Sequence, residues 1–148
     1  MNGCLNNLPV LALTMLACIS AHGQSNVGEL MDQGGKIVTR EAQMALAPFR
    51  YQYVWPNRLG EGDLVFKADG TLDGTEDHYS SRSSSPAVGT WTVDEAGKQC
   101  VKKTLSAWNT KSDLCWWPYQ LGYKFFVSNT NERTGRLSSV KSVTKLQQ

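Results

Sequence analysis

Apolar and polar residues alternate along most of this chain. Phe49, Tyr51, Tyr53 and Trp55 fall at every second position against Arg50, Gln52, Val54 and Pro56, which predicts a strand with one aromatic face. Leu64, Phe66 and Ala68 repeat the pattern against Val65 and Lys67, and Asp69-Gly70 supplies the chemistry of a turn. Gly89, Trp91 and Val93 share a face opposite Thr90, Thr92 and Asp94. A turn is expected at Glu95-Ala96-Gly97-Lys98, after which Val101, Leu105 and Ala107 continue the alternation. Leu121, Tyr123, Phe125 and Val127 are expected on one face of a further strand. Residues 137 to 146 are β-prone in composition but lack a clear period. Helical spacing is confined to Thr39–Ala47, TREAQMALA, with Thr39 as N-cap and Pro48 as the stop.

Seven or eight short strands joined by turn-like connections predict a mainly β fold with one short N-terminal helix. The expected arrangement is an antiparallel meander curled into a barrel or half-barrel. The Ser-rich stretch Ser80–Pro86 is expected to be a mobile loop. Residues 24 to 38, polar and Gly-containing, are expected to form a flexible N-terminal arm, with a single β-rich domain over 39 to 148.

Residues 8 to 19, LPVLALTMLACI, are an uncharged apolar run too short to span a bilayer core, which needs about 20 residues. They fit the apolar region of a secretory signal, and the small residues Ala21 and Gly23 place cleavage before Gln24. Residues 1 to 23 are therefore expected to be a signal peptide and the mature chain to be periplasmic or secreted. Met15-Leu16-Ala17-Cys18 also loosely matches a lipoprotein box, so membrane attachment is expected only if Cys18 carries lipid. Once Cys4 and Cys18 leave, only Cys100 and Cys115 remain of the four cysteines. In an exported domain such a pair is expected to form a disulfide.

A chain of 148 residues with net charge +2 gives one small domain and too little positive charge for nucleic-acid binding by bulk attraction. The charge is unevenly spread. Residues 61 to 95 carry a net −6 and residues 98 to 148 a net +7. Charges from the two halves are expected to pair across adjacent strands, and the alternative is a basic face that steers toward an acidic partner.

The residues for chemistry are sparse. His78 has Asp77, Ser80 and Ser81 nearby, but neighbours on a strand point to opposite faces, so no Ser-His-Asp geometry is prearranged. One His beyond the signal and a disulfide cannot furnish a zinc site. The acids Asp69, Asp73, Glu76 and Asp77 lack the spacing of a calcium loop. No catalytic residue, metal or cofactor is expected.

In order along the chain stand Phe66-x-x-Asp69-Gly70-Thr71, Gly89-Thr90-Trp91-x-Val93, Gly97-x-x-Cys100, Trp108 and Cys115. Over roughly residues 39 to 128 this order resembles a group of small exported bacterial proteins known only as a domain of unknown function. That resemblance implies a short helix followed by a lipocalin-like β-meander, and implies export, but no reaction.

The function expected is a non-enzymatic exported domain of the bacterial envelope that binds a protein or a small apolar or aromatic ligand. The alternatives are a structural or accessory envelope protein without a deep pocket and, further off, a hydrolase. Tyr51, Tyr53, Trp55, Phe66, Trp91, Tyr123 and Phe125 are the candidate ligand-lining side chains, unless they simply form the core. Trp116 and Trp117 face opposite ways, so one of them is expected to be exposed as a partner contact.

Overall fold

The computed structural model describes residues 23 to 147. The expected export segment, Cys4 and Cys18 therefore lie outside the described residues, apart from Gly23. Among these residues are two short helices, with the first of ten strands between them and the other nine after the second, and the strands pair throughout as antiparallel neighbours. The central meander is β2 (Phe49–Val54), β3 (Gly60–Phe66), β4 (Thr71–His78), β5 (Ser83–Val93), β6 (Gln99–Leu105), β7 (Thr110–Leu121) and β8 (Lys124–Ser128). The last segment carries β9 (Ser138–Ser139) on β8 and β10 (Ser142–Lys145) on β2. Between them the Val140 N–H donates to Phe125 O and the Lys141 N–H to Gln52 O, each at 2.9 Å. One C-terminal segment thus joins the two ends of the curl, and its mixed pairing explains why its sequence shows no single period.

The inner face is filled by the alternating residues. Phe49, Tyr51, Leu64, Phe66, Leu72, Trp91, Val101 and Leu105 form one buried cluster. Phe49 stacks on Phe66 at 4.9 Å between centroids, and Trp91 meets both edge-on. The Trp91 indole N–H donates to Lys67 O at 2.8 Å, which ties the core to the β3–β4 turn. Gly62 and Gly74 lie on the same face. A side chain at Gly62 would collide with the Tyr53 ring, and at Gly74, where φ is +154°, with the backbone of Asp63.

Helix α2 (Arg40–Leu46) begins and ends where its sequence says. Thr39 Oγ1 accepts from the Ala42 N–H at 3.2 Å as N-cap, and the helix stops before Pro48. It lies against the end of the curl that carries the β5–β6 turn. Gln43 Nε2 donates to the carbonyls of Val38 (2.7 Å) and Gly97 (2.8 Å), and Arg40 pairs with Glu95 at 2.6 Å.

Three expectations are corrected. Residues 24 to 38 are not a loose arm: they hold α1 (Val27–Asp32) and β1 (Lys36–Ile37). Val27 and Leu30 are buried against Tyr119 and Phe126 in a second cluster, and β1 pairs with β7. Asn26 Oδ1 caps α1 by accepting from the Glu29 N–H, so two apolar residues and a cap anchor a segment whose composition is polar. Ser80–Pro86 is not a mobile loop, because β5 starts at Ser83 and pairs with β4 from there. Leu121 and Tyr123 do not continue into the strand of Phe125 and Val127. Gly122, at φ +59°, and Tyr123 make a two-residue hairpin between β7 and β8.

Cys100 and Cys115 form a disulfide between directly opposed residues of β6 and β7. It sits on the outer face, because Gln99, Val101, Lys103 and Leu105 take the inner one. The bridge therefore fastens the two strands directly to one another. Such a bond points to an oxidising compartment. Among the described residues no helix is long and apolar enough to cross a membrane. Replacing both cysteines by alanine should lower unfolding stability by about 3 kcal/mol, the chain-entropy value for a loop of this length. Chemical denaturation of the variant beside the oxidised protein measures this, and an unchanged midpoint would assign the bridge no stabilising part.

Candidate functional site: one rim of the curl

In an antiparallel meander alternate loops lie at the same end. One end carries the β3–β4, β5–β6 and β7–β8 turns. Each of these bends through a glycine at positive φ: Gly70 (+83°), Gly97 (+88°) and Gly122 (+59°). The other end carries the β2–β3, β4–β5 and β6–β7 loops, and each bends through a residue with a side chain: Arg58 (+57°), Arg82 (+49°) and Asn109 (+48°). These are all the non-glycine residues at positive φ among the described residues. The left-handed region is disfavoured for residues with a Cβ by about 1–2 kcal/mol, and Asn suffers least. One rim has removed that strain with glycine and the other retains it with two arginines.

The retained side chains surround an aromatic cluster. Trp55, His78 and Trp108, one from each hairpin, meet edge to face, with centroids 5.5 Å apart for Trp55–His78, 6.0 Å for Trp55–Trp108 and 6.4 Å for His78–Trp108. All three are half-buried. The Trp108 indole donates to Ser83 Oγ at 3.2 Å, and Ser85 Oγ, fully buried, accepts from the Ala107 N–H at 3.0 Å, so the 3-10 turn Ser106–Trp108 is held against β5. A Cβ at Gly60 would strike first the Asp77 carbonyl and then the Trp55 ring. Around the cluster, Leu59 and Tyr79 stand about half exposed, and the Tyr79 N–H bonds Leu59 O at 2.9 Å. Arg58 and Arg82 take part in no ion pair among the described residues.

One layer below, on the same inner face, lies a polar cluster. Tyr53 Oη donates to Glu76 Oε1, and Lys103 Nζ pairs with the same carboxylate and donates to Tyr53 Oη at 2.8 Å. The side chains of Lys103 and Glu76 are 6% and 5% exposed. Burial and the Glu76 carboxylate push the Tyr53 phenol far above its ordinary range, and burial raises those of Tyr51 and Tyr119. The phenols stay protonated, and the three groups of the cluster satisfy one another. Such an arrangement holds strands together and leaves no free base or nucleophile. Ser80 Oγ lies 3.2 Å from His78 Nδ1, while Asp77 occupies the opposite face of β4 and does not join them.

The remaining candidates separate. Phe66 and Trp91 lie in the packed core. Tyr51 stacks on Trp116 at 6.2 Å and, with Phe125, borders a small cleft of about 30 Å³ that also reaches Gln43 and Gln99. Pockets for small organic ligands run to about 300–1,000 Å³, and this one suits a water molecule. A larger depression, about 670 Å³, lies against Ala47, Pro48 and Lys145 at the C-terminal end, away from the rim. Tyr123 does not join the interior. It sits at the tip of the β7–β8 hairpin, 87% exposed. Trp116 and Trp117 do face opposite ways, but both are half-buried, Trp116 against the first cluster and Trp117 against the second. The expected exposed Trp is absent there because α1 and β1 give β7 a second packed face.

Charges pair mostly within the acidic half or with the N-terminal residues: Arg50–Asp63, Lys67–Asp73 and Arg40–Glu95. Lys103–Glu76 and Lys141–Glu61 join the acidic and basic halves. Compared with family models, with curated proteins and with solved structures, the chain matches none.

Two outcomes follow from the polar cluster. Glu76→Leu alone strands a buried ammonium and should cost about 3–5 kcal/mol, while adding Lys103→Met and Tyr53→Phe should recover most of it. Urea unfolding of the single and triple variants decides this, and equal losses would show that the pairing is energetically idle. The phenol shifts also set a pH window. Stability should be complete below about pH 10, the ordinary phenol value, and fall above it, because the unfolded chain releases protons that the folded one keeps. In a variant with the exposed Tyr79 and Tyr123 replaced by phenylalanine, phenolate absorbance should rise together with loss of the fold, whereas phenolate appearing while that variant is still folded would contradict it.

Proposed function

We propose that this chain is an exported, non-enzymatic binding domain of the bacterial envelope that grips a protein partner with the rim of Trp55, Arg58, Leu59, Tyr79, Arg82 and Trp108. The observation that carries this reading is the asymmetry of the two rims. Backbone strain is relieved by glycine at one end and kept at the other, where it preserves two arginine side chains beside an aromatic cluster. Strain that persists in a structure marks places where the side chain has a use. Arg, Trp and Tyr are also the residues that dominate the energy of protein interfaces. The two arginines suit a partner with an acidic surface. The packed core and the 30 Å³ cleft favour a protein over a small ligand inside the curl.

Export rests on the disulfide and on the apolar segment before Gln24. Kinship with the small exported bacterial group of unknown function rests on the order of the D-G-T, G-T-W and Cys motifs.

The test separates stability from binding. Arg58→Gly with Arg82→Gly should stabilise the fold by about 0.5–1 kcal/mol per site, since glycine adopts positive φ freely. The same variant should lose a partner that the unaltered protein retains when both are incubated with envelope extract from the native source. A variant that is more stable and still retains the partner would remove the rim from the binding surface.

A further inference from the structure

Strand β7 has two neighbours over only part of its length. On one side β6 pairs with Thr110–Trp116, and β1 continues along Tyr119 and Gln120. On the other side β8 pairs with residues 117 to 121. Beyond Ser128 the chain turns away to the N-terminal helix, where the Val27 N–H donates to Gly135 O at 2.8 Å. On that second side residues 110 to 116 have no partner strand among the described residues.

The register identifies the backbone groups left over. Cys100 and Cys115 are directly opposed with Cα atoms 4.1 Å apart, the narrow spacing of a pair that exchanges no backbone hydrogen bonds. Trp116, Leu114 and Ser112 therefore bond to β6, and the N–H and C=O groups of Lys111, Asp113 and Cys115 point the other way. The parity continues down the strand. Pro118 O accepts from the Val38 N–H on the β1 side, while Leu121 and Lys124 close the hairpin on the β8 side. Three donors and three acceptors thus extend the β7–β8 ladder with no partner among the described residues. Beside them Leu114 points inward from the sheet but is 52% exposed.

We propose that a second copy of this chain occupies this edge, its β7 antiparallel to the first and centred on Ser112. The charges select that partner and that register. Centring on Ser112 places Lys111 of each copy opposite Asp113 of the other, twice by symmetry, and Thr110 beside the exposed Leu114. Centring one residue either way sets Lys111 against Lys111 or Asp113 against Asp113. Lys111 has no ion-pair partner among the described residues, and Asp113 only a loose contact with Lys102 at 3.6 Å. Edge strands are commonly kept from associating by charged side chains or a proline, and like charges that meet across an edge repel. Here opposite charges two residues apart make the edge complementary to itself. Trp108 of the rim stands two residues before Thr110, but the pairing rests on the backbone groups and charges of β7 alone and not on the partner reading above.

Sedimentation of the full mature chain over a concentration series should give a monomer–dimer equilibrium. Lys111→Glu and Asp113→Lys, each alone, turn both cross-strand pairs repulsive and should weaken dimerisation about ten-fold or more. Mixing the two variants restores attraction at both pairs, so a heterodimer should form at the concentration where the unaltered protein dimerises. Hydrogen exchange at Lys111, Asp113 and Cys115 should slow as the unaltered protein is concentrated. Thermal melts confirm that each variant folds. A protein that stays monomeric throughout overturns the proposal and leaves the edge to a foreign strand. A dimer indifferent to both substitutions, or single variants that fail to recover on mixing, overturns it as well.

Discussion

Inside the curl, Tyr53 of β2, Glu76 of β4 and Lys103 of β6 share hydrogen bonds across the interior. They come from alternate strands of one meander, so they meet only if the sheet bends enough to bring its inner faces together. Burying a carboxylate and an ammonium is costly unless each finds the other, and this requirement fixes the curvature at that level. Gly62, between Tyr53 and Glu76 in the cross-strand row, leaves the space that the phenol ring fills. The aromatic cluster below packs to the same curvature, and the Trp55–His78–Trp108 cluster above rests on it.

From that bend follow the features of functional interest. Curling gathers three hairpin loops into one rim, and α2 covers the opposite end through Gln43 and Arg40. The covered end turns on glycines, while the open end turns on Arg58, Arg82 and Asn109. The same bend leaves one edge of the first half of β7 without a neighbour among the described residues, because β8 is short and its chain leaves to bury Val27 and Leu30. A binding rim and an unpaired edge are thus two consequences of one geometry. They carry different chemistry: aromatic and cationic side chains on the first, backbone groups and a self-complementary charge pair on the second.

Much of the fold could be read from residue order. The strand alternation at Phe49–Trp55 and Gly89–Val93, and the capped helix ending before Pro48, are local signals, and local physics decided them. The polar cluster also left a trace, since Glu76 falls in step with Leu72, and Lys103 stands between Val101 and Leu105 at period two. A charge at an inward position reads as a break in the pattern until its partner is known. The N-terminal segment was misread because two apolar residues among polar ones reveal nothing without the surface they dock on. Tyr123 is not legible as a turn residue because the apolar alternation of the sequence runs unbroken through it, although the hairpin sets Leu121 and Phe125 on opposite faces.

Sequence alone determined the β class, the limits of α2, the pairing of Cys100 with Cys115 and which side chains of Phe49–Val54 and Gly89–Val93 share a face, because each depends on chain neighbours or on simple counting. Tertiary structure alone decided that the aromatic face is packed core, that Glu76 finds Lys103, that the positive-φ arginines collect at one rim and that β7 keeps a bare edge. Those outcomes depend on how far the sheet bends, and the bend is set by contacts between residues 23 to 50 positions apart, such as Tyr53 with Glu76 and Lys103.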